Sequence, residues 1–100
     1  MNCYLVTYDL LTANKDYKGL YEQIKSYEFW WHHMESIWLI STNKTLPEVS
    51  TALKGHLEDT DNLLVVDVTG RNRAGWLTKK AWDWMTTHNP KTNAIQNSYR

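Results

Sequence analysis

The sequence of 100 residues has little of several features that define particular classes of protein. Its only cysteine, Cys3, excludes an internal disulfide and suggests a reducing compartment. No apolar run approaches the roughly 18–20 residues of a membrane-spanning helix, and the first residues show no signal-peptide pattern. The formal net charge is zero, which argues against nucleic-acid binding by bulk positive charge. We therefore expect a single cytoplasmic domain without a membrane partner.

Aromatic residues are what the sequence has in excess. Six Trp, six Tyr and one Phe make up 13% of the chain. A domain of this size buries a limited fraction of its surface and needs a dense core. The aromatic side chains supply that density.

Four segments have the residue content of strands: Cys3–Leu10, Phe29–His33, Ser36–Thr42 and Leu63–Thr69. The first is apolar on both alternating faces, which predicts a central strand covered on both sides. The second and third are joined by a tight turn near Met34 and Glu35.

Three segments have helical patterns. From Asp16 onwards, apolar residues recur at every third or fourth position. A second helix begins at Thr45, because Thr45 and Glu48 form a capping box. A third is capped by Thr78 and runs through Trp82.

The order of elements is strand, helix, strand, strand, helix, strand and an extra helix. This β-α-β-β-α-β order predicts an α+β, ferredoxin-like antiparallel sheet with an extra C-terminal helix. Right-handed crossovers place the strands in the spatial order 4-1-3-2. The domain spans residues 1–88, and the polar residues 89–100 form a tail that we expect to be flexible.

This topology brings acidic residues to one edge of the sheet. Asp9 ends the first strand, Glu35 lies in the turn between the second and third strands, and Asp61 precedes the fourth. Carboxylates so placed can hold Mg²⁺ or Mn²⁺, or supply a base. They can equally be solvated turn and cap residues. His32 and His33 are adjacent, so they point to opposite faces of the strand and cannot chelate a metal as a pair. We expect one of them to be a buried or half-buried packing histidine.

A basic stretch follows the fourth strand, where the sequence predicts the opposite edge. It contains Arg71, Arg73, Lys79 and Lys80, with Trp76 as a flat surface on which a base can stack. Cations at a helix start, together with backbone N–H groups, can bind an anion or nucleic acid. The alternative is a solvated loop with Trp76 folded onto the sheet.

The tryptophans exceed what one small core encloses: Trp30, Trp31, Trp38, Trp82 and Trp84. A two-layer fold leaves one sheet face bare, yet several strands are apolar on both faces. Either the C-terminal helix or another subunit covers that face. We favour a homodimer.

Several segments resemble known families. Tyr8–Leu10 and Ser36–Trp38 resemble the strand motifs of small CRISPR-associated endoribonuclease-like proteins. The chain over residues 1–86 is similar to small bacterial proteins of the SinR family. Leu20–Ser26 and Trp30–His32 carry that likeness, and the second of these is its most specific part.

The resemblance implies a ferredoxin-like homodimer, related in fold also to virulence-associated protein D toxins. It places Asp9 where the CRISPR-associated family has an aspartate implicated in metal-dependent nuclease activity. The first helix departs from that family, because it mixes acidic and basic residues instead of being strongly basic.

Two functions follow as hypotheses. The first is a dimeric binding or adaptor protein that contacts nucleic acid or a protein partner through Arg71–Lys80. The second is a metal-dependent endoribonuclease, or toxin-like nuclease, that uses Asp9 with Mg²⁺ or Mn²⁺.

Overall fold

A computed structural model describes residues 1–90 in full and the backbone of residues 96–99. Its elements, in chain order, are β1 (Asn2–Asp9), α1 (Lys18–Lys25), β2 (Phe29–Met34), β3 (Ile37–Thr42), α2 (Leu46–Lys54), β4 (Asn62–Asp67), β5 (Ala74–Leu77), α3 (Lys79–His88) and β6 (Gln96–Tyr99). Among the described helices, none has the length and apolar character needed to cross a membrane.

The main sheet has four strands in the order β2-β3-β1-β4. Neighbouring strands are antiparallel throughout. The prediction of a mixed α+β fold is confirmed, and the predicted order 4-1-3-2 is the observed order read from the other edge. β1 is central, in agreement with its two apolar faces.

The first face of the sheet is covered by α1 and α2. Tyr4 and Val6 of β1 pack there with Trp38 and Ile40 of β3. The helices contribute buried Leu20, Ile24, Val49 and Leu53 to the same cluster. The capping box that begins α2 is confirmed: Thr45 Oγ1 accepts from the Glu48 backbone N–H at 3.3 Å, and Glu48 Oε1 accepts from the Thr45 backbone N–H at 3.0 Å.

The second face of the sheet is partly covered by α3. Trp82, Ala81 and Met85 of α3 form a cluster with Cys3, Trp31 and Leu39 of the sheet. The Trp31 indole N–H donates to the backbone carbonyl of Ala81 at 3.1 Å. The C-terminal helix therefore provides at least part of the covering that the apolar strands require.

The region after β4 differs most from prediction. The sequence pattern shows only a loose loop there, whereas the structure has the short strand β5, which pairs in parallel with the backbone of β6. Residues 91–95 and 100 of the predicted tail lie outside the described residues. Asn89, at the start of that tail, is buried.

Candidate functional site

Asp61, one of the three predicted metal ligands, is held by its own chain. Its Oδ1 accepts from the Leu11 backbone N–H at 2.8 Å and from the Tyr17 hydroxyl at 2.7 Å. Its Oδ2 accepts from the Glu58 backbone N–H at 2.9 Å, and Thr12 donates to Oδ1 through its N–H and hydroxyl. These bonds join the loop after β1 to the turn before β4.

The same bonds determine the charge state of Asp61. Loss of hydration by itself would raise the pKa of this carboxyl, but the donors from Glu58, Tyr17 and Leu11 lower that pKa to about 2. A metal ion would have to compete with these donors for both carboxylate oxygens. The geometry therefore gives Asp61 a structural role in joining two loops.

Asp9 and Glu35 do not complete a metal site with Asp61. Asp9 is exposed at the end of β1, where its Cα lies opposite Asn62. Glu35 is exposed in the turn between β2 and β3. Within residues 1–90, no three His, Cys, Asp or Glu side chains are grouped so that they could hold a metal ion.

The two adjacent histidines are both exposed, so the prediction that one of them is buried or half-buried is wrong. They lie on opposite faces of β2, as predicted. The His32 ring stacks on Trp38 with centroids 3.6 Å apart, and the His33 ring lies 5.0 Å from Trp31. Since β2 is an edge strand with a register irregularity after Trp31, its end leaves these rings open to solvent.

Arg73, a predicted nucleic-acid contact, is occupied inside the fold. Its Nη2 donates to the backbone carbonyls of Met85 and Asn89 near the end of α3, at 3.4 and 2.5 Å. Its Nη1 donates to the carbonyl of Arg71 at 3.1 Å. Burial lowers the pKa of this guanidinium. Arg73 thus supplies a donor to the Asn89 carbonyl at the end of α3, and a second donor to the Met85 carbonyl, which also accepts from the Asn89 backbone N–H.

Asn89 completes this junction, and the sequence carries no signal that singles it out. Its side-chain amide donates to the Val68 carbonyl at 3.1 Å and accepts from the Gly70 N–H at 2.8 Å. Gly70 has a φ of +64°, a left-handed conformation that glycine adopts without a steric penalty. The turn after β4 is therefore locked to the end of α3.

Lys79 and Lys80 lie at the other end of α3. The Lys79 ammonium is 2.7 Å from the carboxylate of Asp83, one helical turn away. Partial loss of hydration lowers the pKa of His33, and the positive charge of Lys80 lowers it further. Because α3 has ten residues and is about 15 Å long, these lysines are well separated from Arg73. The basic residues do not form one edge.

In the sequence, Trp76 lies between these two groups of cations. Its side chain is 60% exposed, yet it lines a pocket of about 500 Å³ between β5 and the second sheet face. Leu5, Ile37 and Leu39 of the sheet line the same pocket. Trp76 is therefore neither fully folded onto the sheet nor isolated in solvent.

Large apolar side chains remain exposed on this side of the molecule. Phe29 is one of them, and its ring stacks on His88 of α3. The others are Met34 (47%), Leu64 (58%), Val66 (39%) and Trp76 (60%). The β1–β4 register places Leu64 opposite Thr7 and Val66 opposite Leu5, so both face the α3 side of the sheet. We call these four residues the uncovered patch.

Comparisons with protein-family models, with curated proteins and with solved structures find no match for this chain.

Proposed function

We propose that this chain is a ferredoxin-like binding protein that works as a homodimer, with Leu64 and Val66 of the uncovered patch as its dimer surface. The uncovered patch is the observation that carries the proposal. Leu64 and Val66 are two positions apart on one face of β4, and exposed apolar surface of this kind is typical of interaction sites. A two-fold dimer buries the same surface on both copies, which removes these two side chains from water with no other partner.

The dimer is tested by changing Leu64 to Asp. This charge would be buried without a partner in the dimer, so we expect the variant to sediment as a monomer at protein concentrations where the wild type is a dimer. Analytical ultracentrifugation over a range of concentrations measures this. Leu11→Asp is the matched control, because Leu11 is 63% exposed and lies in the loop after β1. A wild type that stays monomeric at high concentration contradicts the dimer.

We further propose that the dimer contacts single-stranded nucleic acid through Arg71 and Lys80, with Trp76 as a stacking surface. Arg73 serves the end of α3, and Lys79 is paired with Asp83. Both Arg71 and Lys80 are exposed, as is the Trp76 ring. Arg71 lines the same pocket as Trp76, and Lys80 follows Trp76 by four residues, at the start of α3. Cations and an exposed aromatic ring are the usual elements of a single-strand site.

This contact is measured by fluorescence anisotropy with a labelled RNA of mixed sequence at several salt concentrations. Arg71→Gln and Lys80→Gln should each weaken binding and flatten its salt dependence, because each removes a phosphate contact. Lys54→Gln, at the end of α2, is the control. If the wild type does not bind at low salt, nucleic acid is excluded and a protein partner becomes the alternative.

The second candidate is a metal-dependent, toxin-like nuclease that uses Asp9. One observation favours it: Asp9 follows Thr7 by two positions on β1, so it lies on the same sheet face as Leu64. A dimer through that face whose two-fold axis passes close to the end of β1 would bring the Asp9 carboxylates of the two copies together. Two carboxylates brought together in this way are suitable ligands for Mg²⁺ or Mn²⁺.

The nuclease is tested with Asp9→Asn, which keeps the size of the side chain and removes its charge. Metal-stimulated cleavage of RNA by the wild type should be lost in the variant, while ultracentrifugation shows the dimer unchanged. If the wild type does not cleave RNA with either Mg²⁺ or Mn²⁺, the nuclease hypothesis is wrong.

A further inference from the structure

The pocket between β5 and the second sheet face has the size and lining of a small-molecule site. Its volume of about 500 Å³ lies within the range of about 300–1,000 Å³ that is usual for ligand pockets. The walls are mostly apolar: Leu5, Trp31, Met34, Ile37, Leu39, Trp76, Leu77, Trp82 and Met85 all contribute. Flat rings and aliphatic side chains of this kind fit an apolar molecule, and they offer few partners to a sugar or peptide.

One part of the lining is cationic. Arg71 and Arg73 both line the pocket, and no Asp or Glu is among its described lining residues. Arg71 is exposed, and within residues 1–90 its guanidinium has no hydrogen-bond or ion-pair partner. The pocket therefore combines an apolar body with an available positive charge.

Arg73 strengthens this charge imbalance. Its guanidinium has no carboxylate within ion-pair distance among the described residues, and its enclosed Nε has no hydrogen-bond partner there. The nearby Cys3 thiol does not supply a negative charge, because burial raises its pKa to about 12. Charged groups removed from water are normally paired, so an anion near Arg73 would be favourable.

We propose that this pocket binds a small organic anion with an aromatic or aliphatic body and one carboxylate. The body lies against Trp76 and the apolar wall, and the carboxylate pairs with the guanidinium of Arg71. A planar guanidinium matches a carboxylate through two parallel hydrogen bonds. This inference does not rest on the homodimer or on the nucleic-acid contact.

The test compares 1-naphthaleneacetate with the neutral 1-naphthaleneacetamide, which has nearly the same shape. Isothermal titration calorimetry measures both affinities, and quenching of tryptophan fluorescence reports entry into the pocket. We expect the carboxylate to bind about tenfold or more tightly than the amide, because it gains a charge-assisted pair. Arg71→Gln should reduce the carboxylate affinity to the level of the amide.

Two further variants show which side chains the bound molecule contacts. Lys80 does not line the pocket. The Lys80→Gln variant should therefore bind the carboxylate with unchanged affinity, while its binding to RNA is weakened. Trp76→Ala should lower the affinities for the carboxylate and for the amide by similar factors, because it removes a lining side chain that both ligands contact. A carboxylate affinity unaffected by both Arg71→Gln and Trp76→Ala overturns the proposal.

The Leu64→Asp variant gives the remaining control, since Leu64 is not among the lining residues. Binding by both the wild type and this variant supports the proposal. If only the Leu64→Asp variant binds the carboxylate, a second copy of the chain occupies the pocket in the wild type, and the proposal of a small-molecule site is overturned. Equal affinity for carboxylate and amide, or no binding of either at millimolar concentration, also overturns it.

Discussion

At the scale of single residues, several charged side chains serve to join parts of the fold. Asp61 accepts hydrogen bonds from the loop after β1 and from Glu58 before β4. Arg73 donates to carbonyls near the end of α3. In the sequence, Asp61 and Arg73 are charged residues in segments between predicted elements, with no sign of their hydrogen-bond partners. Only their partners, which are distant in the chain, show that they are structural.

Asp61→Asn should destabilise the protein at neutral pH and reduce the acid dependence of its stability. The folded-state pKa of Asp61 is about 2, below the ordinary value of 3.8, so its ionised form stabilises the fold above about pH 4. That contribution is lost as the pH falls from about 4 towards 2. Urea unfolding at pH 7 and pH 2.5 measures the effect, and the variant should approach the wild type at the lower pH. Asp59→Asn is the neighbouring control, and an equal effect there contradicts the prediction.

Arg73→Gln should lower the free energy of unfolding by about 1–3 kcal/mol, which is typical of lost hydrogen bonds from a charged donor. Arg71→Gln, two residues away and exposed, should stay within about 0.5 kcal/mol of the wild type. Urea unfolding followed by circular dichroism measures both. If the two variants are equally destabilised, the role of Arg73 at the end of α3 is wrong.

At the scale of elements, α3 decides how much of the second sheet face is covered. The sequence predicts this helix correctly, because Thr78 is a recognisable cap and apolar residues follow at helical spacing. Where the helix packs depends on Trp31 and Cys3, which belong to strands far away in sequence. β5 was not predicted, because four residues that include Gly75 carry too little pattern.

Trp82→Ala should lower the free energy of unfolding by about 3–5 kcal/mol, because Trp82 is 1% exposed and a large cavity would remain. The neighbouring Trp84 is only half-buried, so Trp84→Ala should have a clearly smaller effect. Chemical denaturation measures both changes. Equal losses would show that α3 does not pack through the Trp82 side as described.

At the scale of the whole molecule, one sheet separates two apolar clusters. The first holds Ile24 and Trp38 with the residues of α1 and α2, and the second holds Trp82 with those of α3. Most of the aromatic side chains belong to one of these two clusters, and Trp76 belongs to the uncovered patch. The neutral total charge conceals cations placed at both ends of α3.

The two clusters should contribute independently to stability. Ile24→Val should cost about 0.5–1.5 kcal/mol, and its effect should add to that of Trp82→Ala within about 0.5 kcal/mol, because the residues share no cluster. Denaturation of the two single variants and the double variant tests this. A larger interaction energy would show that packing on one face of the sheet depends on the other.

The sequence by itself determined the α+β class, the positions of β1 to β4 and the three helices. Local signals are enough for these: the alternation of Cys3–Leu10, the capping box at Thr45 and the cap at Thr78 each act over a few residues. Only the tertiary structure shows which charged side chains form hydrogen bonds within the fold and which remain exposed. Asp61 and Arg73 form hydrogen bonds within the fold. Lys80 and Arg73 lie near opposite ends of α3. A pocket forms between β5 and the second sheet face. These outcomes depend on contacts between distant segments, which hydrophobic periodicity and short motifs do not encode.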